Sequence, residues 1–151
     1  MADIFTKAKR SAVMAAIRGR GNAATELRML ALLRLHGITG WRRHLALRIG
    51  EARKPDEKRK SRVQVDFVFR RERIAVFVDG CFWHVCPRHG TRPAGNRAFW
   101  KAKLDRNMAR DRAVSRALRR GGWSVLRVWE HDLAVKHWPR VTRRLVRALG
   151  R

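Results

Sequence analysis

The sequence predicts a small α/β domain built around a mixed β-sheet. Two observations carry that expectation. The chain has 151 residues, 45% of them hydrophobic, enough for one core. Helix-patterned and β-rich segments also alternate along it in the order helix, three strands, helix, strand, helix, with no internal repeat.

Each element has its own signal. Residues 1–21 read as a basic arm, in which Lys9 and Arg10 are interleaved with apolar residues such as Met14. The domain is expected to occupy residues 22–151. Asn22 can cap a helix whose apolar face is supplied by Leu27, Leu30, Leu33 and Leu35 and which Gly37 ends. Residues 41–49 partly alternate, with Trp41, Leu45, Leu47 and Ile49 apolar, and read as a strand. Residues 50–62 hold Pro55, six basic residues and three acids, and read as a basic loop inserted between hairpin strands. Two β-rich segments, 63–69 and 74–78, flank a polar turn at 70–73. Residues 88–96 are rich in Gly and Pro and read as loop. A long basic helix over 98–120 is closed by Gly121 and Gly122, a strand follows over 123–129, and a short amphipathic helix over 141–149.

Thirty-seven Lys and Arg against twelve Asp and Glu give a formal charge of +25, so the expected partner is a polyanion bound with a steep salt dependence. Charge alone does not separate DNA from RNA. No apolar run approaches the roughly 20 residues of a membrane span, and the N-terminus lacks the apolar core of a signal peptide. Both cysteines fall in one short run, which offers no disulfide framework and suits a cytoplasmic compartment. With so few acids, placement matters: Glu26, Asp66, Asp79, Asp111 and Glu130 each abut apolar patterning.

The run Cys81-Phe-Trp-His-Val-Cys-Pro-Arg-His89 is the most concentrated chemistry in the chain. Cys81, Cys86 and His89 have zinc-ligand spacing, and a structural site closes with a fourth ligand, for which His131 at a strand end is the candidate. Two reduced, buried thiols are the simpler alternative. His84 can exchange a proton near neutral pH, or it can be a zinc ligand or a core histidine. Asp66 sits inside a strand, where a carboxylate is costly unless paired or bound to a cation. Alternation aims it with Gln64 and Val68, opposite Val65 and Phe67. It reads either as a rigid magnesium ligand beside a phosphate or as a solvent-facing acid paired with an Arg. Asp79 is a second metal ligand or the start of a turn. Asp111, at the border of the long helix's apolar stripe, either orients His84 or pairs with Arg110 or Arg112. Phe82, Trp83 and Trp100 read as core, or as groups that wedge between bases if exposed beside a basic cleft.

Together these residues resemble the very short patch repair endonucleases. The likeness runs through Lys9-Arg-Ser-Ala-Val-Met14, Thr25-Glu26, Val65-Asp-Phe-Val68 and Val76-Phe-Val-Asp-Gly-Cys-Phe-Trp-His-Val-Cys-Pro87. It continues through Phe99-Trp100, Asn107, Arg110-Asp111 and Gly122-Trp-Ser-Val-Leu-Arg-Val-Trp-Glu130, in order along nearly the whole chain. The resemblance implies a restriction-endonuclease-like core, with a mixed central sheet flanked by helices and a structural zinc site. It further implies a magnesium-dependent nick in one strand of double-stranded DNA at T·G mismatches left by 5-methylcytosine deamination. A cognate cytosine-5 methyltransferase would be the functional partner, and the chain is expected to act as a monomer without a membrane.

Residue by residue, Asp66 matches the metal-binding aspartate, His84 the catalytic histidine, Asp111 its supporting aspartate and Glu26 an acid near the site. Phe82, Trp83 and Trp100 match aromatics inserted beside the mismatch, with Met14, Lys9 and Arg10 expected at the DNA. Cys81 and Cys86 match zinc positions, and His131 stands where the family carries a cysteine. His89 is assigned to zinc by spacing. Val78 stands where familiar members have a threonine, so only its backbone carbonyl can serve magnesium. Val65 replaces a common proline, and the 50–62 loop is longer than the family's. A sequence-specific restriction enzyme of the same core, and a zinc-stabilised nucleic-acid-binding module without catalysis, are the alternatives.

Overall fold

A computed structural model describes residues 25–50, 62–90 and 93–151. The arm, with Lys9, Arg10 and Met14, the proposed cap Asn22 and residues 51–61 of the basic loop lie outside the described residues. The elements are α1 (Glu26–Leu35), β1 (Trp41–Arg48), β2 (Arg62–Phe69), β3 (Ile74–Asp79), α2 (Arg97–Arg120), β4 (Ser124–Trp129), 3-10 turns at Glu130–Leu133 and Val135–His137, and α3 (Trp138–Leu149). The sheet order is β1-β2-β3-β4. β1, β2 and β3 pair antiparallel, whereas β3 and β4, joined through α2, pair parallel. The predicted mixed sheet is therefore present, and with helices on both faces it fits a restriction-endonuclease-like fold. No described helix is long and apolar enough to cross a membrane.

Strict alternation in β3 divides the core. Ile74, Val76 and Val78 face one side, where Met29, Leu32 and Leu33 of α1 meet Val141, Leu145 and Leu149 of α3. Ala75 and Phe77 face the other, against Val114 and Leu118 of α2. Burying each large side chain of this kind contributes roughly 1.5–3 kcal/mol. The buried face of α1 corrects the sequence expectation. Only Leu33 of the expected set is fully buried and Leu30 packs at the margin, while Leu27 and Leu35 are exposed. Met29, Leu32 and Leu33, at i, i+3 and i+4, form the real stripe, and the expected set mixed two faces of the helix. Helix α3 begins three residues before the expected 141, because Pro139 is tolerated in a first turn.

The sheet carries a phase shift that the alternation pattern hid. In β1, Trp41 packs on the α1/α3 side, but Leu45 and Leu47, with Ile49 just past the strand, pack on the α2 side. In β2, Val63 and Val65 face α2, yet Phe67 and Phe69 face α1 and α3. Each strand thus changes face, and the unpaired residues at the change are opposite one another. Arg43 pairs with Phe67 and Leu45 with Val65, which leaves His44 across from Asp66. His44 absorbs the shift with a φ of +51°, in the left-handed region. Val65 and Phe67 accordingly do not share a face, as simple alternation required, and Asp66 stands on the seam between them.

Candidate active site and metal centre

The seam sets Asp66 where β2 and β3 part. Their pairing ends at Phe67 and Val76, and beyond it the Val78 N–H donates to Asp66 Oδ2 at 2.8 Å. The carboxyl pKa is raised from 3.8 to about 6, chiefly by burial and further by the charges of Glu26 and Asp79, against the opposing Val78 N–H and His84. Glu26, His44 and Asp66 present ligand atoms within 4.8 Å of one another. Glu26 Oε2 accepts from Arg43 at 2.8 Å and lies 2.9 Å from His44 Nε2. The two carboxylates held against a strand junction supply the oxygen ligands a hard divalent cation takes, with the His44 imidazole beside them. The charge cost of Asp66 is what such a cation would relieve.

His84 follows β3 in a tight turn. Its Nδ1 lies 2.5 Å from Asp111 Oδ2 on α2 and 3.8 Å from Asp79 Oδ1 at the end of β3. Burial by itself would lower the imidazole pKa. The Asp111 hydrogen bond and the charges of Asp79 and Asp111 outweigh it and hold His84 above its usual value. With Nδ1 committed to Asp111, Nε2 is the nitrogen left for a substrate. Asp79 is 3% exposed, and burial raises its pKa despite the neighbouring His84 and Arg127. Arg127 of β4 holds it with NH1 at 2.9 Å from both carboxylate oxygens. The same guanidinium lies 4.5 Å from the Phe77 ring centroid, donates through Nε to Ser115 Oγ and through NH2 to the Asp111 carbonyl. Asp79 is thus engaged in a buried ion pair. Asp66, Val78, Asp79, His84, Asp111 and Arg110 line one cavity of about 230 Å³.

The second cluster is separate in chemistry. Cys81 and Cys86 Sγ each lie 3.4 Å from His131 Nδ1, and the three ligand atoms are within 4.8 Å of one another. Ligands at zinc distances on a tetrahedron would be separated by about 3.6 Å for sulfur to nitrogen, so the set fits zinc. Burial raises the Cys81 thiol pKa and lowers that of His131, keeping the imidazole neutral as a ligand must be. Asp132 Oδ1 lies 3.6 Å from His131 Nε2 and is held by Arg140, so the far side of the ring is oriented too. Glu130 Oε2 accepts from the Cys81 N–H at 3.3 Å and ties the loop to β4. His89, assigned by spacing, is exposed and stands outside this group of three. Its ring centroid is 4.6 Å from that of His131.

The family profile described as DNA mismatch endonuclease Vsr matches residues 2–88. The DNA mismatch endonuclease Vsr of Escherichia coli (strain K12) is 37% identical over 131 residues, covering 86% of this chain and 74% of that protein. The chain belongs to the Vsr family. It is also 48% identical over 92 residues to the type II nicking enzyme V.NaeI of Lentzea aerocolonigenes, covering 61% of this chain and 51% of that enzyme. A third relative, the type II nicking enzyme V.NmeDIP of Neisseria meningitidis serogroup C, is 46% identical over 70 residues, 45% of this chain and 47% of that enzyme. The chain therefore spans about half the length of these two nicking enzymes.

In this Vsr-family chain the structure brings Asp66, His84, Asp111 and Val78 to one cavity, with Glu26 grouped beside Asp66. The aromatic residues also gather. Phe82 lies 5.1 Å from Trp83 and 5.5 Å from Trp100 between ring centroids, and Lys103 Nζ is 5.2 Å from the Trp83 centroid. Trp100 is only 5% exposed and forms the floor of this cluster, whereas its neighbour Phe99 is 48% exposed. His44 and Arg127 were not anticipated as site residues. A lone Arg in a strand reads as solvent-facing, and only the parallel pairing of β3 with β4 reveals its contact with Asp79. The signal available was the single charge inside the apolar run 123–129.

Proposed function

We propose that this chain is a magnesium-dependent DNA endonuclease that nicks one strand at T·G mismatches arising from 5-methylcytosine deamination, in concert with a cognate cytosine-5 methyltransferase. The observation that carries the reading is the convergence of Asp66, His84 and Asp111 on one small cavity in a chain of formal charge +25. Family membership supports DNA as the substrate and a mismatch as the target.

Asp66, with the carbonyl of Val78 and with Glu26 beside it, would hold the magnesium. When bound, the ion supplies positive charge that lowers the pKa of water and offsets charge on the phosphoryl oxygens. The chain's own residues do the rest. The Val78 N–H fixes one Asp66 oxygen, leaving the other for the cation. Asp111 fixes the His84 ring and stabilises its protonated form, so Nε2 can move a proton at the reacting phosphate. Asp79, locked by Arg127, adds negative charge behind the ring. Cys81, Cys86 and His131 would hold zinc, with His89 the nearest candidate for a fourth ligand, and this site would brace the loop carrying Phe82, Trp83 and His84.

The test is a nicking assay on end-labelled duplexes with one T·G mismatch in varied contexts, beside matched duplexes and the His84→Ala protein. A magnesium-dependent nick in the thymine strand, absent from matched duplex and from the variant, is the expected result. Cleavage of matched duplex would replace this reading with a restriction enzyme. Binding without any cleavage would leave a zinc-stabilised DNA binder.

A further inference from the structure

A polynucleotide cannot stop at the phosphate being cut, so its strand must leave the reactive cavity across another part of the surface. A second cavity, of about 420 Å³, adjoins the first and shares Asp79, His84, Asp111 and Arg127 with it. Its lining includes Val85, Pro87, Met108 and Trp129, together with Arg112, Arg116 and Arg119 of α2. These three lie at i, i+4 and i+7, on one face of the helix, spaced over about 10 Å of its axis. All three are exposed, and among the described residues no carboxylate is ion-paired with them. Other cations of the fold are neutralised. Arg127 is bound to Asp79, Lys101 to Asp105 and Arg140 to Asp132. A row of uncompensated guanidinium groups along a cavity that begins at His84 is suited to successive phosphates.

We propose that Arg112, Arg116 and Arg119 form the track for the DNA strand that passes His84, binding the phosphates on one side of the reacting position. The inference rests on the nuclease reading, since it takes its direction from His84. Phosphate contacts of this kind carry no base information, so the row would set affinity and register but not sequence preference.

The test compares two charge-matched proteins. In one, Arg112, Arg116 and Arg119 are replaced by Gln; in the other, Arg34, Arg143 and Arg147, exposed on the helices of the opposite sheet face, are replaced by Gln. Binding to a labelled duplex is measured without divalent metal over a series of salt concentrations. The α2 variant should bind at least about tenfold more weakly, and its log–log salt slope should fall by about two to three, at roughly 0.9 for each phosphate left unneutralised. The opposite-face variant should match the parent in slope and nicking rate. Methylphosphonate substitution at successive positions of the strand should weaken the parent on one side of the nick and leave the α2 variant insensitive there. Equal weakening in the two variants would show that only bulk charge matters, and unchanged binding in the α2 variant would likewise overturn the track. If the parent cuts no duplex yet the row alone controls binding, the nuclease reading fails and the track stands as a binding surface. Normal nicking with normal binding by the α2 variant sinks the track alone.

Discussion

Replacing Asp66 by Asn should make the protein more stable and inactive at once. In the fold the carboxyl pKa stands at about 6 against an ordinary 3.8, so its charged form is disfavoured by burial and by Glu26 and Asp79. That difference corresponds to roughly 3 kcal/mol of destabilisation once the group is ionised in both states. The direction follows from a folded pKa raised above the unfolded one. The stability of the fold with a neutral Asp66 is fully present below pH 3.8, is lost as pH rises through about 6, and stays lost above it. Asn keeps an oxygen to accept the Val78 N–H without carrying charge. At neutral pH and without divalent metal, Asp66→Asn should therefore melt about 6–12 °C higher than the parent, at roughly 2–4 °C per kcal/mol. Thermal unfolding of both proteins from pH 4 to 8 checks this, because groups common to both cancel in the difference. The gap should close near pH 4 and open fully above pH 7. Added magnesium should raise the melting temperature of the parent alone. A variant that melts lower at pH 7, or a gap indifferent to pH, would refute the claim that a strained carboxylate awaits a cation there.

Three further outcomes are expected. Arg127→Met leaves Asp79 buried without its partner, at a cost of about 3–5 kcal/mol, worse at neutral than at acid pH. Adding Asp79→Asn should recover most of it in thermal unfolding, and a double variant as unstable as the single would show that the ion pair is not the cause. Asp111→Asn removes the main support of the His84 charge, so burial prevails and the His84 pKa should fall below its usual value in an NMR titration. Nicking should drop about 100-fold or more with it, and an unmoved titration would deny the pairing. Metal analysis should find one zinc per chain, retained in His131→Cys and lost, with a lower melting temperature, in Cys86→Ser. Zinc persisting in Cys86→Ser would place the ion elsewhere.

The order of elements and the mixed sheet were legible because hydrophobic periodicity reports which faces are buried. The long helix and β3 illustrate it. Asp66, His84 and Asp111 were legible because polar groups inside apolar patterning are few in so basic a chain. What escaped depended on contacts between distant segments. The face change at His44 and Asp66 cannot be read from either strand, because each side of the seam alternates normally and the shift appears only when the strands pair. The α1 stripe eludes the pattern because six leucines and methionines in ten residues satisfy more than one helical face. Arg127 looks like surface until its neighbour in β3 is known. His89 enters the zinc set by spacing alone; its ring packs against that of His131 but stands outside the close group of Cys81, Cys86 and His131.

The junction between β1 and β2 has a practical consequence. The strands remain paired out to Arg48 and Arg62, where the basic connection begins, while their register is pinned further in at the seam. Lengthening a connection whose ends are already held together costs little, about 0.6 kcal/mol for each doubling. The segment between these arginines can thus be exchanged as a cassette, leaving Asp66 fixed. The fold separates a connection whose length can change from the paired strands that hold Asp66 in place.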